Sequence, residues 1–270
     1  MRRTAELQVA LAVVAAAFAA SVQPAEGFPR QDWRSRVATA ERYAEGRLGV
    51  VSFALVDPRG RLHGYRSGAL VPTASLLKAM LLVGYLRMPS VRERRLTSGE
   101  KNLLGPMIRR SDNPAVGVIL PRVGAERLNR LARRAGMTRF RLAWPVWGLS
   151  QTTARDQARF FYRLDAYVPA RHREYALRLL RTIIASQRWG VGRIEHPGWT
   201  LYFKGGWGSG TGLVDHQSAL MTSRGGRVAL SVTTRFNPDH EYGKATLRGI
   251  AWRLVGRLPP PAPVGSSLPL

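Results

Sequence analysis

A serine and a lysine stand one helical turn apart in the segment VPTASLLKAM, residues 71–80. Ser75 and Lys78 have i, i+3 spacing, so on a helix they would share one face. A serine hydroxyl is a weak nucleophile until a base removes its proton, and a partly buried lysine can be that base, whereas arginine cannot. The chain holds 42 Lys and Arg, of which only four are lysine: Lys78, Lys101, Lys204 and Lys244. A lysine in place of the usual arginine indicates nucleophilic catalysis; the alternative is a lysine that snorkels out of a buried helix.

A second candidate group is Ser111-Asp112-Asn113. The triplet is a rare combination in a chain with four asparagines and seven aspartates. It also predicts an ordinary helix start, because Asn113 before Pro114 is a favourable N-cap. The two interpretations are compatible, since a cap residue at the edge of a lobe can also point into a cleft.

A third candidate group is Lys204-Gly205-Gly206, which is followed by Trp207. The triplet falls in a segment that the residue pattern predicts to be a strand. Glycines there would let the backbone of a substrate approach closely. The alternative is a glycine bulge near the end of a strand.

The elements that must position these groups follow from the spacing of apolar residues and turn signals. Strands are predicted at both ends of the chain and helices between 97 and about 190, with the helix that carries Lys78 at about 74–87. We therefore predict an α/β (α+β) fold, in which a mixed antiparallel sheet is flanked by N- and C-terminal helices and an all-helical lobe is inserted. A cleft between the lobe and the sheet would hold the site.

The predicted domain boundaries follow from composition. Residues 1–26 have the charged start, the apolar run and the small residues of a signal peptide. Residues 27–257 form one domain, and the Pro-rich tail 258–270 is expected to be disordered. Within the domain, the sheet lobe takes about 30–72 and 193–257, and the helical lobe takes about 73–192. We therefore expect a secreted, periplasmic or cell-wall-associated protein.

The three candidate groups occur in the order Ser-x-x-Lys, Ser-Asp-Asn, Lys-Gly-Gly, and with this order the sequence resembles the serine β-lactamase and D,D-peptidase superfamily, most closely the class A branch. The resemblance covers about residues 30–257 and implies a β-lactamase/transpeptidase-like fold. It implies that Ser75 is the acylated nucleophile, that Lys78 accepts its proton, and that Ser111 relays a proton to the leaving nitrogen. No metal or cofactor is implied.

The same resemblance implies the substrate-binding residues. Asn113 would bind the substrate amide, and Lys204 would attract the substrate carboxylate. Gly205 and Gly206 would line the cleft, and the backbone N–H groups of Ser75 and Trp207 would form the oxyanion hole.

The sequence departs from the resemblance at two places. Class A enzymes carry a glutamate that activates the deacylating water in a loop between the second and third motifs, whereas the matching stretch here, residues 137–153, contains no acid. The nearest acids, Glu126 and Asp156, fall in predicted helices on either side. Gly205 replaces the usual hydroxyl residue. Because a general base contributes roughly 10²–10⁴ in rate, we expect slow deacylation.

Composition limits the partners. The chain has no cysteine, which excludes thiol nucleophiles, thiolate metal sites and disulfides. No two of the five histidines have metal-ligand spacing. The net charge of +25 points to a polyanion, and for an exported protein an anionic cell-wall polymer is the candidate. The scattered arginines argue against nucleic acid; a merely solvated, arginine-biased surface is the alternative. We expect a monomer.

The predicted function is that of an exported serine hydrolase that forms an acyl-Ser75 intermediate with a β-lactam or a D-Ala-D-Ala-like amide. A D,D-peptidase that acts on the stem peptide of peptidoglycan is one alternative. A non-catalytic module that kept the fold and binds the cell wall is the other, although such a module would have no need of Lys78.

Overall fold

The computed structural model describes residues 32–208 and 213–259. The predicted signal peptide and residues 260–270 of the predicted tail lie outside the described residues. The structure has the predicted α/β architecture, with an antiparallel sheet and helices on both of its faces. The strands are β1 (Val50–Val56), β2 (Leu62–Tyr65), β3 (Val71–Pro72), β4 (Gln151–Thr152), β5 (Thr200–Gly208), β6 (Val214–Ser223) and β7 (Gly226–Arg235). The α-helices are α1 (Trp33–Glu45), α2 (Leu77–Leu86), α3 (Pro89–Arg92), α4 (Ser98–Arg109), α5 (Pro114–Arg134), α6 (Ala154–Tyr162), α7 (Leu164–Tyr167), α8 (Ala170–Arg181) and α9 (His240–Val255).

The large sheet has the strand order β2-β1-β7-β6-β5, and all its neighbouring strands are antiparallel. Two tight turns set its register. Asp57 accepts a hydrogen bond from the backbone of Gly60 between β1 and β2, and a two-residue connection at 224–225 joins β6 to β7. β5 lies at the edge of the sheet, beside the helical lobe. The predicted strands at both ends of the chain therefore meet in one sheet.

Helices cover the sheet on both faces. α1 and α9 pack together and against the sheet, and α6 packs against β1, β6 and β7. The sequence boundaries placed residues 154–162 in the helical lobe, but the structure places α6 on the sheet. Its buried residues include Phe160 and Phe161, which give it an apolar face wide enough to cover β1 and β7.

The helical lobe is built around α2. All ten residues of α2 are buried, because α3, α4, α5 and α8 surround it. α5 contains a break at Gly124, whose φ of 74° is not helical, so residues 114–134 form a pair of helices. A capping box begins α4, with Thr97 and Glu100 each accepting a hydrogen bond from the backbone of the other.

A small second sheet connects the start of α2 to the acid-free loop. β3 pairs with β4, and the backbone N–H of Thr73 donates to the Ser150 carbonyl over 2.5 Å. The loop that precedes β4 is thereby held against the residues that lead into α2. No helix in the described part of the chain is long and apolar enough to cross a membrane.

Candidate active site

Ser75 lies at the point where the chain enters α2. A 3-10 turn, Ala74–Leu76, leads directly into the helix, and Ala74 has a left-handed φ of 42°. Such a backbone is uncommon for a residue with a Cβ atom and costs of order 1–3 kcal/mol. The Ser75 side chain is half-buried, and its hydroxyl has no hydrogen-bond partner among the described residues. It is therefore available to a bound molecule.

Lys78 is buried one turn further along the same helix. Its Nζ donates to the Ser111 carbonyl at 2.5 Å, to Ser111 Oγ at 3.0 Å and to Asn113 Oδ1 at 2.7 Å. Burial lowers the pKa of Lys78 to about 8, against the opposing charge of Asp112. About a tenth of the lysine is therefore neutral near pH 7. This is the property that a base at this position needs, and arginine lacks it.

The backbone conformation of Ser111 directs two of its oxygens toward Lys78. Ser111 has a left-handed φ of 59°, which turns the chain sharply after α4. Its carbonyl and its hydroxyl then both accept hydrogen bonds from Lys78. Ser111 and Ala74 are thus two non-glycine residues with left-handed backbone conformations on either side of one site. Strained backbone of this kind is concentrated at functional sites.

The helix-cap prediction for Asn113 is corrected in one respect. Asn113 does stand at the N-cap position of α5, but its side chain makes no capping hydrogen bond. Asp112 supplies the cap instead, since its Oδ2 accepts from the backbone N–H of Ala115 at 3.0 Å. The amide oxygen of Asn113 is thus free to bind Lys78.

Lys204 reaches the same serine from the sheet. It is fully buried on β5, and its Nζ donates to Ser111 Oγ at 3.1 Å and to the Gly205 carbonyl at 2.7 Å. Burial, and secondarily the charge of Lys78, hold the pKa of Lys204 well below its ordinary value. The helical lobe and the sheet therefore meet at one hydroxyl with a lysine on each side.

Gly206 brings β5 into direct contact with the start of α2. A Cβ atom at this position would lie 2.9 Å from the Ser75 backbone nitrogen and 3.0 Å from that of Leu76. The first distance is shorter than Cβ atoms show in proteins and the second is very tight, and both contacts are with backbone atoms, which cannot rotate away. Glycine therefore allows the strand to approach the start of α2 this closely.

Gly205 has a different reason to be glycine. A Cβ atom there would lie 3.2 and 3.3 Å from the ring of Trp189, which is buried beside the strand. The space that a hydroxyl residue would need is thus partly occupied by an indole ring. Residue 189 carries no motif, so the sequence alone offered no signal for this contact.

Trp207 is half-buried within a group of aromatic side chains that sequence reasoning did not identify. Its ring meets that of Trp189 edge-on at 5.6 Å and stacks with His240 at 6.1 Å. Nδ1 of His240 lies 2.5 Å from Asp215 Oδ1, and burial raises the pKa of that carboxyl group. Trp207 is paired with Asp215 in the strand register, so this group of residues supports the end of β5 next to the site.

The loop without an acid contributes a tryptophan. The ring of Trp147 lies 5.1 Å from Lys78 Nζ, a cation–π distance. Ser150 holds the loop, because its Oγ accepts from the Ala143 N–H and donates to the Trp147 carbonyl. Trp144 is exposed to 66% at the loop's outer surface.

The two acids nearest to this loop in sequence have other partners. Asp156 is buried, and its Oδ2 accepts from the backbone N–H of Arg139 at 2.9 Å. Glu126 is exposed and pairs with Arg130. Glu126 is thus committed to a surface ion pair, whereas Asp156 Oδ1 has no hydrogen-bond partner among the described residues and burial raises the pKa of that carboxyl group.

The structure brings most of the sequence-predicted site residues together. Hydrogen bonds join Lys78, Ser111, Asn113 and Lys204 directly, and Gly206 packs against the backbone of Ser75. The hydroxyl of Ser75 itself is not hydrogen-bonded to Lys78. Both lone pairs of Ser111 Oγ face lysine donors, so its own O–H is left to donate elsewhere. In chemical terms, the arrangement can carry a proton from Lys78 through Ser111 to a third group.

Among the described residues no three His, Asp or Glu side chains are grouped as a metal ion would require. The expectation that no metal or cofactor takes part stays a prediction.

Comparison with known families places the chain near one group of proteins. A model of the beta-lactamase enzyme family matches residues 93–258, which is more than half of the chain. No curated protein sequence matches the chain.

Solved structures agree on the fold. A beta-lactamase from Sphaerobacter thermophilus superposes with a TM-score of 0.72 at 21% identity, over 83% of this chain and 96% of that one. An ancestral class A beta-lactamase superposes with a TM-score of 0.68 at 20% identity, over 82% of this chain and 98% of that one. A protein called PBP-A superposes with a TM-score of 0.68 at 16% identity, over 82% of this chain and 94% of that one. At these identities the likeness concerns the fold alone.

Proposed function

The chain belongs to the beta-lactamase enzyme family, and from this membership and the geometry of the site we propose that it is a serine hydrolase that forms an acyl intermediate on Ser75. The observation that carries the proposal is the placement of two buried lysines on one serine hydroxyl, at the junction where Gly206 contacts the Ser75 backbone. A surface feature without a catalytic role would have no reason to bury two ammonium groups, because each costs several kcal/mol to desolvate.

The acylation step uses these residues in turn. Neutral Lys78 takes the proton from the Ser75 hydroxyl, whose oxygen attacks the carbonyl carbon of the substrate amide. The new bond joins Ser75 Oγ to that carbon, and the C–N bond of the amide then breaks. Ser111 gives its proton to the leaving nitrogen and regains one from Lys78 along their 3.0 Å hydrogen bond. The net result moves the serine proton to the leaving group.

The remaining residues bind and orient the substrate in this proposal. Asn113 would bind the substrate amide, and Lys204 would attract a carboxylate on the leaving side. The backbone N–H of Ser75 would donate to the developing oxyanion together with that of Trp207. We propose a β-lactam or a D-Ala-D-Ala-like amide as the substrate class, since both place a carboxylate beside the scissile amide.

Deacylation is proposed to be slow. The loop at residues 137–153 contains no carboxylate, and the ring of Trp147 occupies the space beside Lys78. Glu126 is exposed and pairs with Arg130, and Asp156 is buried with one oxygen bound to the backbone N–H of Arg139. Without a base for water, the acyl-enzyme should persist.

A fluorescent penicillin tests acylation and its persistence together. We expect the intact mass of the wild-type protein to rise by one penicillin and to stay raised after free penicillin is removed. The matched control is Ser75→Ala, which should acquire no mass. Absence of an adduct on folded wild-type protein would contradict the proposal and favour the non-catalytic wall-binding alternative. Rapid loss of the adduct would contradict slow deacylation alone.

We also propose that the protein acts outside the cytoplasm, because residues 1–26 have the pattern of a signal peptide. Cell fractionation followed by N-terminal sequencing of the recovered protein tests this. An N-terminus near residue 27 in the exported fraction is expected, whereas an intact cytoplasmic chain would contradict it.

A further inference from the structure

Four arginines beside the site lie on one short stretch of surface, and we call them the arginine cluster: Arg109, Arg110, Arg181 and Arg188. The first two stand at the end of α4, Arg181 is the last residue of α8, and Arg188 lies in the segment that follows α8. Backbone hydrogen bonding ties the two segments together, since the Ile184 N–H donates to the Arg109 carbonyl at 3.2 Å. Gln187 Nε2 adds a bond to the Arg110 carbonyl at 2.7 Å.

Two guanidinium groups of the cluster lie on neighbouring carbonyl groups at the end of α8. Arg109 Nε donates to the Thr182 carbonyl at 2.9 Å, and Arg188 Nη1 donates to the Arg181 carbonyl at 3.2 Å. Each contact uses one donor and leaves the other donors of that guanidinium available. Arginine has five N–H donors in a planar fork, which matches the oxygens of phosphate or carboxylate in pairs.

No carboxylate neutralises the cluster. Among the residues that the structure describes, none of the ion pairs includes a member of it, although Arg178 on the same helix as Arg181 pairs with Glu174. The side chains of Arg110 and Arg181 are exposed and have no hydrogen bond to another described residue. The cluster is therefore a local concentration of positive charge that no described carboxylate compensates.

The position of the cluster relates it to the site. Arg110 directly precedes Ser111, and Arg188 directly precedes Trp189, whose ring covers Gly205. The guanidinium carbon of Arg188 lies 5.4 Å from the ring centre of Phe203, the neighbour of Lys204 on β5. Because side chains alternate along a strand, Phe203 and Gly205 face away from Lys204 and Gly206, so Arg188 lies behind the edge strand that carries Lys204.

We propose that the arginine cluster binds a polyanionic polymer, that is, a flexible chain with repeated oxyanion groups. Several guanidinium forks in a row suit repeated oxyanions better than one isolated anion. The proposal does not depend on acylation of Ser75.

The test measures binding of labelled inorganic polyphosphate to the full-length chain by fluorescence anisotropy at two salt concentrations. Poly-L-glutamate of equal charge forms the second arm, which distinguishes phosphate from carboxylate recognition. The informative variant is R110Q/R181Q, because neither side chain holds another described residue and folding should be retained. The matched control is R34Q/R248Q, which removes the same charge from exposed positions on α1 and α9.

We expect wild-type binding that weakens with salt, a loss of about tenfold or more in R110Q/R181Q, and less than about a twofold change in R34Q/R248Q. If R110Q/R181Q weakened the binding of only one of the two polymers, that polymer would show whether the cluster recognises phosphate or carboxylate. A second variant, R110K/R181K, keeps the charge without the fork and should bind with intermediate affinity.

Equal weakening in R110Q/R181Q and R34Q/R248Q would overturn the proposal, because binding would then follow net charge. So would the absence of binding to either polymer at low salt. Ser75→Ala is expected to bind polyphosphate like the wild type, so a failure of acylation and a failure of polyanion binding are separate results. Loss of binding in folded Ser75→Ala protein would also overturn the proposal.

Discussion

At the scale of single residues, two buried lysines donate hydrogen bonds to the same serine hydroxyl. Ser111 Oγ accepts from Lys78 at 3.0 Å and from Lys204 at 3.1 Å. Two ammonium groups this close repel one another, and burial removes the water that would screen them. Burial lowers the pKa of both lysines, and the charge of Lys78 lowers that of Lys204 further. In the proposed mechanism, the neutral state of Lys78 gives Ser75 a base.

The first prediction concerns that base. The acylation rate should rise with pH and level off above about 8, because burial lowers the pKa of Lys78 to about 8 and only its neutral form accepts a proton. Lys78→Arg should acylate roughly 10²–10⁴-fold more slowly and should lose this rise. Time-resolved intact mass across a pH series measures both. If the acylation rate of Lys78→Arg still rose with pH about the same midpoint as in the wild type, another group would be the base.

The second prediction uses two neighbouring glycines as variant and control. Gly206→Ala places a methyl group against the backbone nitrogen of Ser75, whereas Gly205→Ala places one against the edge of an indole ring that can shift slightly. Acylation should slow by about a hundredfold or more in Gly206→Ala, since a displacement near 1 Å has that effect, and by less than about tenfold in Gly205→Ala. Similar rates in the two variants would contradict the close approach of β5 to α2.

At the scale of elements, α4 leads into the second motif, and the start of α4 is held by a buried carboxylate. Glu100 accepts from Arg94 at 2.7 and 2.9 Å, from the Thr97 N–H at 2.7 Å and from the Tyr85 hydroxyl at 3.0 Å. One side chain therefore joins the first turn of α4 to α2. The position of Ser111 at the far end of α4 depends on this anchor.

The third prediction is the loss of this anchor in acid. Hydrogen bonding with Arg94 lowers the pKa of Glu100 to about 2, below the value of about 4.3 expected in the unfolded chain. Its stabilising contribution is complete above about pH 4.3 and is lost as the pH falls toward 2. Glu100→Gln should lower the free energy of unfolding near pH 7 by about 1–3 kcal/mol.

Urea unfolding at several pH values measures the effect. The free energy of unfolding of Glu100→Gln should depend less on pH than that of the wild type between about pH 4.3 and 2. The control is Glu174→Gln, whose side chain is 92% exposed and should leave the profile unchanged. The same acid dependence in Glu100→Gln and the wild type would contradict the anchor.

At the scale of the whole molecule, charge repulsion opposes folding. The chain carries 42 Lys and Arg against 17 Asp and Glu, so most cations have no carboxylate to pair with. A net charge of +25 destabilises a compact state through self-repulsion, and dissolved salt screens that repulsion.

The fourth prediction follows from this repulsion. The melting temperature should rise as sodium chloride is increased from low ionic strength to about 0.15 M, where the screening length is near 8 Å. Arg34→Glu/Arg248→Glu, which lowers the net charge by four, should melt higher at low salt and respond less to salt. Differential scanning fluorimetry measures both. A melting temperature that falls with salt would mean that surface ion pairs outweigh the repulsion.

The sequence by itself determined the order of elements and the identity of most site residues. Turn signals such as Asp57–Gly60, the Thr97/Glu100 capping box and the alternating strands near the C-terminus depend on neighbours in the chain, so local chemistry decides them. The order of the three motifs indicated the family, and the family match and the fold confirm that resemblance. The absence of an acid from 137–153 is likewise visible in the sequence alone.

Only the tertiary structure decided how these residues meet. It placed α6 on the sheet, directed the Asn113 oxygen to Lys78 while Asp112 capped α5, and put Trp189 over Gly205. Trp147 and the arginine cluster came beside the site in the same way. Each of these contacts joins residues far apart in the chain, and which of several satisfactory local partners a side chain takes depends on what the folded chain brings within reach.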